Sequence, residues 1–545
     1  MKLSYEGVEA PPGVVVEVTS AGPDEWHWSV ANDTAAPLTV DRVALRWHIG
    51  SGGPVRMFVN GWQSWSPTGS CVVGRDEDPA NRPDALSYLR AGMHADPAAP
   101  AAGELRSELV TALADDSDAV VLGFEGGDRH DGTFRVLGEW LRAEAYLGGA
   151  TLAAGERRAL HSVRVFPGDP AVGLAAWGDW AGARSGARTT APYQVGWCTW
   201  YHYFHDVTEA AFRSNLARAG DWPFGVFQLD DGYQAAIGDW LTTNPRFPTA
   251  LAPLAGDVAG AGLQPGIWLA PFLAMPSSAV AQSHPSWLVQ RRPDRPLIGA
   301  INPAWGGATG VLDTSHPEVQ AHLEEVARTL VSWGFTYLKL DFTYAPSFEG
   351  QWHDPSLTPA QRVRAGYEAI RRGAGDTAFL LGCGAPQGPC IGVVDGMRIG
   401  PDVAPWWAPE PGSPYVDTAP STLNAWRNTL ARSFEHRKLW LNDPDCLMLR
   451  TTQTKLTPAQ VSAWAEAVGV SGGMALVSDD LALLDASSRA LLDEVIRLGT
   501  SSDAEAVANT PPTCPDLLDR WTPTTLTSGV HTLTGDPNAG TATLA

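Results

Sequence analysis

Two charged residues close a short apolar segment near the middle of the chain. In Trp333-Gly-Phe-Thr-Tyr-Leu-Lys-Leu-Asp341, the run from Phe335 to Leu340 predicts a buried strand, with Lys339 and Asp341 at its carboxyl end. Alternate strand residues face the same side, so the ammonium and the carboxylate are expected to point together. Because burying such charges is unfavourable unless they are paired, Lys339 and Asp341 are interpreted either as catalytic or as a structural pair that caps the next loop.

A second carboxylate suited to work with Asp341 follows a later apolar segment. Asp402 lies on a predicted loop backed by Trp406 and Trp407. In glycoside hydrolysis one carboxylate attacks the anomeric carbon and another protonates the leaving oxygen. We therefore interpret Asp341 as a nucleophile that the charge of Lys339 keeps ionised, and Asp402 as an acid/base.

Adjacent aspartates, Asp230 and Asp231, stand before a glycine at a third segment end. Such pairs are often a turn or a helix cap. At a strand end that faces a neutral polyol, each carboxylate can instead accept hydrogen bonds from hydroxyls, and the indole of Trp268 offers a face for a sugar ring. Binding is the favoured interpretation for this pair, whereas Asp443-Pro-Asp445 is interpreted mainly as a turn.

The segments that position these residues alternate between strand-like and helix-like patterns from residue 194 onward, as in βα units. Eight strands are predicted, at 194–199, 226–229, 265–269, 337–341, 378–383, 396–399, 438–442 and 473–477. Helices are predicted at 209–218, 251–261, 317–333, 359–372, 422–435, 458–468 and 486–497. Eight such strands favour a (β/α)8 TIM barrel, whose active site is built at the strand carboxyl ends. A doubly wound sheet is the alternative, although no glycine-rich dinucleotide loop supports it.

The flanking regions have a different texture. Residues 1–165 carry short alternating runs typical of an antiparallel β-sandwich, 170–188 read as a linker helix, and the end of the chain is rich in Thr, Gly and Pro. We predict a multidomain chain: an N-terminal β-sandwich domain with its linker helix over 1–188, a catalytic barrel over 189–500 and a small C-terminal β domain over 501–545.

One loop of the predicted sandwich, Asn60-Gly-Trp62-Gln-Ser-Trp65, breaks this alternation. Its two tryptophans would be exposed if the domain stood alone. Either they pack at a domain interface, which is the interpretation favoured for Trp62, or one of them reaches into a neighbouring site.

Several other chemistries are poorly supported. A His-x-His pair is missing, which disfavours a metal-dependent hydrolase barrel, and His202 and His205 are interpreted as core or rim residues. The sequence has no Gly-x-Ser-x-Gly elbow or Cys–His nucleophile signature. Its six cysteines are scattered without a CxxC pair, so neither disulfides nor a zinc site is indicated. We expect neither metal nor cofactor.

Charge and hydropathy limit the partners. The formal net charge of −22 disfavours nucleic acid and anionic membrane surfaces and favours a neutral ligand. No apolar leader or membrane-spanning run is evident, so a cytoplasmic location is expected. The 23 tryptophans, several of them beside acidic or glycine-rich segment ends, hint at carbohydrate.

Together these residues resemble the retaining α-galactosidases of glycoside hydrolase family 36. The motifs that carry the resemblance are Asn60-Gly-Trp-Gln-Ser-Trp65, Gly196-Trp-Cys-Thr-Trp200, Asp230-Asp231-Gly, Gly266-Ile-Trp268, Lys339-Leu-Asp341, Arg398 four residues before Asp402, and Asn442-Asp-Pro-Asp445. The resemblance implies hydrolysis of terminal α-galactosides in neutral oligosaccharides by double displacement. An α-N-acetylgalactosaminidase, a galactosyl-transferring relative and a catalytically silent carbohydrate-binding protein are the alternatives.

The resemblance also implies roles for individual residues. Asp341 would be the nucleophile and Asp402 the acid/base, while Arg398 would contact the 2-hydroxyl side of the sugar. Asp230 and Asp231 would bind the 4- and 6-hydroxyls and select galactose over glucose. The other substrate-binding residues would be Trp65, Trp200, Trp268, Lys339 and Cys383.

Overall fold

The computed structural model describes residues 1–22, 24–79, 92–410 and 416–545. In these residues an antiparallel β-sandwich, an eight-stranded parallel barrel and a small antiparallel sheet follow one another along the chain. The predicted fold class is therefore confirmed, and the doubly wound alternative is wrong. The last barrel helix continues past residue 500, and the domain limits at 188 and 500 stay predictions.

The sandwich begins the chain. Its strands are β1 Lys2–Glu9, β2 Val14–Gly22, β3 Glu25–Asn32, β4 Leu38–Gly50, β5 Arg56–Val59, β6 Gly69–Val72, β7 Leu105–Glu108, β8 Val110–Ala114, β9 Ala119–Phe124, β10 Asp131–Leu137, β11 Trp140–Leu152, β12 Arg157–Ala159 and β13 Val163–Pro167. One sheet has the order β1-β4-β11-β10-β7, and the other runs β12-β3-β13-β9-β8-β5-β6 with β2 paired to β3. In β4, Val43, Leu45 and Trp47 are buried while Arg46 and His48 are partly exposed, because alternate residues face opposite sides of a strand.

All eight predicted barrel strands are present. They are β14 Val195–Cys198, β15 Val226–Leu229, β16 Gln264–Leu269, β22 Tyr337–Leu340, β23 Phe379–Gly382, β24 Gly396–Arg398, β25 Leu441–Asp443 and β26 Ala475–Val477. Parallel pairing runs in chain order from β14 to β25, and β26 pairs with β14. The Met474 N–H donates to the Asn442 carbonyl at 2.9 Å, which links the two ends of the sheet.

Helices follow most barrel strands, as expected for βα units. The described α-helices are α1 Pro170–Ser185, α2 Trp200–Tyr203, α3 Glu209–Ala219, α4 Leu251–Gly260, α5 Ala279–Ser283, α6 Pro317–Ser332, α7 Pro359–Ala374, α8 Gln387–Cys390, α9 Thr422–Ala431, α10 Pro458–Ser471 and α11 Ala486–Val507. Thr358 and Thr457 start α7 and α10 with capping boxes, each followed by proline at the first helical position. Only the single-turn helix α8 separates β23 from β24.

Two additions complete the fold. The long segment after β16 folds into β17 Leu273–Ala274, β18 Gln290–Arg292, β19 Arg295–Pro296, β20 Ile298–Asn302 and β21 Gly307–Val311. The end of the chain forms the meander β27 Thr525–Ser528, β28 His531–Asp536 and β29 Thr541–Leu544. Trp426 of α9 donates its indole N–H to the Pro523 carbonyl at 3.1 Å, which ties this meander to the barrel.

Candidate active site

A cavity of about 230 Å³ lies where the barrel strands end. Most of the predicted site residues line it: Trp65, Trp200, Asp230, Asp231, Trp268, Lys339, Asp341 and Asp402. Cys383 and Arg398 do not line it, and both are buried. Burial first, and then the nearby charge of Asp341, raises the pKa of the Cys383 thiol well above its usual value, and Arg398 contacts Asp402 directly. The structure thus brings the predicted residues to one end of the barrel, while their catalytic roles stay predictions.

Asp341 is the first residue after β22 and is held rigidly. Its Oδ2 accepts the indole N–H of Trp268 at 2.9 Å, and its Oδ1 accepts the N–H of Phe342 at 2.8 Å. Phe342 has φ +53°, a left-handed conformation that is uncommon for a bulky residue and is typical of functional sites. Burial raises the pKa of Asp341, the charge of Lys339 opposes that effect, and Asp402 adds to it.

Lys339 makes its direct ion pair with a different carboxylate. Its Nζ lies 2.9 Å from Oδ2 of Asp230, on the strand β15 side of the cavity. Burial disfavours the ammonium charge, but the neighbouring carboxylates, Asp230 first, raise the pKa of Lys339 well above its usual value. Lys339 and Asp341 do line the same cavity, as their spacing predicted. The lysine is therefore a buried cation that is paired with the predicted binding carboxylate Asp230 and that acts on the predicted nucleophile Asp341 only through its charge.

Asp230 and Asp231 combine the two interpretations proposed for them. The Asp231 N–H donates to Oδ1 of Asp230 at 2.9 Å, a local turn contact. The carboxylate of Asp231 accepts the Gln234 amide at 2.6 Å and the indole N–H of Trp305 at 2.7 Å. His205 is partly exposed, and its Nδ1 lies 3.2 Å from Asp231. This position agrees with the interpretation of His205 as a core or rim residue. Both carboxylates still face the cavity and have acceptor capacity for hydroxyls.

Arg398, the last residue of β24, is surrounded by three aspartates. Its guanidinium lies 3.2 Å from Asp402, 3.1 Å from Asp443 and 2.8 Å from Asp445. Burial disfavours the guanidinium charge, but Asp445 and Asp443 raise the pKa of Arg398 well above its usual value. Asp402 is the exposed member of the group, with 31% of its side chain accessible, so it can reach a ligand.

Two tryptophans expected beside Asp402 point elsewhere. The indole of Trp406 donates to the Pro420 carbonyl at 3.0 Å, and that of Trp407 donates to Pro537 at 2.7 Å. Neither indole lines the cavity. Their place behind Asp402 stays a prediction, and Trp407 contacts the segment that leads from β28 to β29 in the C-terminal β domain.

Trp65 enters the cavity from the sandwich loop between β5 and β6. Its ring packs edge-on against Phe342 and Tyr344, with centroids 5.0 and 6.0 Å apart. Gly384, after β23, has φ +49°, and a Cβ there would lie 2.9 Å from the Trp65 indole. Only glycine fits this position without displacing the ring.

Arg432 fastens that sandwich loop to the barrel. It is fully buried, and its guanidinium donates to the carbonyls of Gly61 at 2.7 Å, Ser64 at 2.9 Å and Ile399 at 2.9 Å. Trp62 is buried, and its indole donates to Asp131 of β10 at 2.9 Å. Its carbonyl accepts the N–H of Gln387 in the barrel helix α8 at 3.0 Å, so Trp62 lies at the domain interface, as favoured. The two tryptophans of the loop therefore divide between the two roles that were considered.

Several residues that line the cavity were not predicted from the sequence. They are Met93, Asn302, Trp305, Phe342, Thr418 and Pro420. Phe342 follows the nucleophile candidate directly and could have been inferred from that position. Trp305 comes from the long segment after β16. Its ring lies 4.9 Å from Phe342, so the insertion forms one wall of the site.

Among residues 1–22, 24–79, 92–410 and 416–545, no three His, Cys, Asp or Glu side chains are grouped as a metal ion would require. Each of the six cysteines is buried. Within the same described residues, every helix is too short or too polar to cross a membrane.

Known proteins resemble this chain in sequence and fold. Residues 194–348 match the family model Melibiase. The α-galactosidase AgaA of Geobacillus stearothermophilus is 29% identical over 150 residues, which are 26% of this chain and 20% of that protein. In such sequence matches the chain spans about a fifth of the length of the curated relatives.

Solved structures extend the likeness to most of the chain. TtGalA, an α-galactosidase from Thermus thermophilus in complex with p-nitrophenyl α-D-galactopyranoside, is 27% identical with a TM-score of 0.71, over 96% of this chain and 99% of that one. The GH36 α-galactosidase AgaA from Geobacillus stearothermophilus shares the fold at 14% identity, with a TM-score of 0.58 over 92% of this chain and 73% of that one.

Proposed function

We propose that this chain, which belongs to glycoside hydrolase family 36, hydrolyses terminal α-galactosides with retention of anomeric configuration. One observation carries the proposal: a single cavity holds a buried, doubly hydrogen-bonded carboxylate, Asp341, and a more exposed one, Asp402, whose only side-chain ion pair in the described residues is with Arg398. Different environments for two carboxylates suit the separate roles of nucleophile and acid/base.

In the first step Asp341 attacks the anomeric carbon. The bond to the leaving oxygen breaks, Asp402 supplies the proton to that oxygen, and a β-linked galactosyl–Asp341 ester forms. Water then attacks the same carbon while Asp402 takes its proton, and the ester bond to Asp341 breaks. The donors from Trp268 and Phe342 support this role, because they orient the carboxylate before the substrate arrives.

The substrate is a neutral sugar. Asp230 and Asp231 offer acceptors for hydroxyls, Lys339 offers a donor, and the indoles of Trp65 and Trp200 offer apolar faces. The Thermus thermophilus neighbour has also been solved in complex with stachyose, which makes raffinose-type oligosaccharides the first natural substrates to try.

The test is a panel of nitrophenyl α-glycosides of galactose, N-acetylgalactosamine, glucose and xylose. We expect turnover of the galactoside, with α-galactose as the first product in proton NMR spectra, and loss of turnover in Asp341→Ala. Added azide should give β-galactosyl azide with Asp341→Ala, because azide replaces the nucleophile, and α-galactosyl azide with Asp402→Ala, because azide replaces water.

Each result has a clear consequence. Preference for the N-acetyl sugar would keep the mechanism and change the substrate. First release of β-galactose, or the same azide product from both variants, would contradict the assigned roles. Absence of turnover on every glycoside by the folded wild type would contradict the hydrolase proposal.

A further inference from the structure

Asp445, two residues beyond the end of β25, is held in an unusual conformation. It is fully buried, and its backbone has φ +90°, a left-handed value that is uncommon for a residue other than glycine. Strained residues of this kind persist where the surroundings fix them firmly and are enriched at functional sites. The sequence pattern had suggested only a turn for this residue.

The two carboxylate oxygens of Asp445 serve two separate groups. Oδ1 accepts from Nη2 of Arg398 at 2.8 Å and from the N–H of Cys446 at 2.7 Å. Oδ2 accepts from the N–H of Val403 at 2.9 Å and from the hydroxyl of Tyr201. One buried carboxylate therefore fixes the backbone directly after Asp402 and the guanidinium that contacts the Asp402 side chain.

Asp402 depends on this support. Its side chain is partly exposed, and within the described residues its one ion-pair partner is Arg398, at 3.2 Å. Its backbone carbonyl accepts the N–H of Ser421 at 2.9 Å, and the next peptide N–H, that of Val403, is the one that Asp445 binds. Removing the Asp445 carboxylate would therefore take one contact from Arg398 and the contact that holds the Val403 N–H, on both sides of Asp402.

Asp443 provides a natural comparison. Its carboxylate lies 3.1 Å from Nε of Arg398 and accepts the N–H of Asp445 at 2.9 Å. It shares the burial and the guanidinium contact of Asp445, but its bonds in the described part of the chain do not include the Val403 backbone.

We propose that Asp445 is a positioning residue for proton transfer, which holds Arg398 and the Val403 backbone so that the Asp402 carboxyl faces the glycosidic oxygen. The inference rests on the proposed function, in which Asp402 is the acid/base. Misplacement of Asp402 slows the step in which its proton goes to the departing oxygen as the Asp341–carbon bond forms. The effect is greatest for leaving groups that require that proton.

The choice of substrate isolates this step. Raffinose releases a sugar alkoxide, which needs protonation, whereas α-galactosyl fluoride releases fluoride with little need of it. Since kcat/KM reports only the steps through the first irreversible one, slow hydrolysis of the ester intermediate does not obscure the comparison. A defect in folding or in sugar binding would lower kcat/KM for both substrates by the same factor.

The experiment measures kcat/KM of Asp402→Ala, Asp445→Asn and Asp443→Asn on both substrates. In Asp402→Ala, kcat/KM should fall about 10²–10⁴-fold on raffinose, which is the usual contribution of a positioned acid, and much less on the fluoride. Asp445→Asn, an isosteric change to a residue that tolerates positive φ, should lose at least about tenfold more on raffinose than on the fluoride. Asp443→Asn, which weakens the Arg398 contact but keeps the bond from the Val403 N–H to Asp445, should show a smaller selective loss of kcat/KM on raffinose than Asp445→Asn.

Equal losses on the two substrates by Asp445→Asn, while Asp402→Ala discriminates between them, would overturn the inference and leave the proposed function intact. A lack of discrimination by Asp402→Ala would overturn the acid/base assignment and this inference with it. If Asp445→Asn does not fold, Tyr201→Phe removes the hydroxyl donor to the same oxygen and should show the same selective loss, smaller in size. Equal losses by Tyr201→Phe would then overturn the inference.

Discussion

Replacing Glu108 by glutamine is expected to remove much of the pH dependence of stability in the sandwich domain. Glu108 ends β7 and is buried, with Oε2 accepting the Thr133 hydroxyl at 2.7 Å. Its Oε1 has no hydrogen-bond partner in the described residues. Burial raises the pKa of Glu108 from 4.5 to about 8, with Thr133 and Arg106 opposing and Asp131 adding to the effect.

The sign follows from the raised pKa. The folded protein binds this proton more tightly than the unfolded chain, so the stabilisation is complete below pH 4.5 and is lost as the pH rises through about 8. At about 1.4 kcal/mol for each pKa unit, the loss approaches about 5 kcal/mol at alkaline pH. Glutamine keeps the neutral shape and does not titrate, so it avoids that loss.

The measurement is the midpoint of thermal unfolding, followed by tryptophan fluorescence from pH 4.5 to 9. If the whole chain unfolds together, an unfolding entropy of about 1.1 kcal/mol per kelvin converts that free energy into about 4 °C. From pH 4.5 to pH 9, the midpoint of Glu108→Gln relative to that of the wild type should therefore rise by about 4 °C. Burial also raises the pKa values of Asp131 and Glu435, to about 6 and about 7. Because these two groups titrate in the wild type and in Glu108→Gln alike, the two midpoints are compared at each pH.

Glu6→Gln, an exposed change in β1 of the same domain, is the matched control and should show no trend. A difference between Glu108→Gln and wild type that stays constant across the pH range would refute the reasoning. It would mean that the buried carboxyl is not neutral in the folded protein.

Two further changes test the walls of the cavity. Trp305→Phe removes a charge-assisted hydrogen bond to Asp231, of a kind that contributes about 1.5–3 kcal/mol, so kcat/KM for the nitrophenyl galactoside should fall at least about tenfold. Trp352→Phe, whose indole N–H binds a backbone carbonyl outside the cavity, should leave kcat/KM unchanged, and equal losses in both would contradict the role of Trp305. Gly384→Ala should lower kcat/KM for the same galactoside, because its Cβ would lie 2.9 Å from both the Trp65 ring and the Phe342 backbone nitrogen that binds Asp341, and an unchanged kcat/KM would contradict this close packing.

The barrel could be predicted from the sequence because its strands are buried on both faces. Short apolar runs such as Val226–Leu229, most of them followed by a helix, are typical of the strands of a parallel sheet that is covered on both faces. The segment from Phe272 to Ser315 could not be predicted in this way. Its strands are two to five residues long and pair largely within the insertion, and such short elements leave little periodic signal.

The site could be predicted where a residue's place on a barrel strand decides its direction. The alternation of β22 places Lys339 and Asp341, and Asp402 is placed by its position on the loop after β24. The contacts that orient them were not visible, because they join distant segments: Trp305 to Asp231 and Asp445 to Arg398. A local i, i+2 pattern such as Asp443-Pro-Asp445 suggests a turn, and it does form one, but only the fold shows which charge it surrounds.

The pairing of Lys339 with Asp230 has a consequence for the chemistry. Four aspartates and one lysine line the cavity, and that lysine is already committed to an ion pair. Arg398 is likewise shared between carboxylates. The lining therefore has an excess of negative charge, which repels anionic ligands and stabilises positive charge on a bound sugar ring. Because the transition state of glycoside hydrolysis resembles an oxocarbenium ion, the charge balance that favours a neutral substrate also favours its reaction.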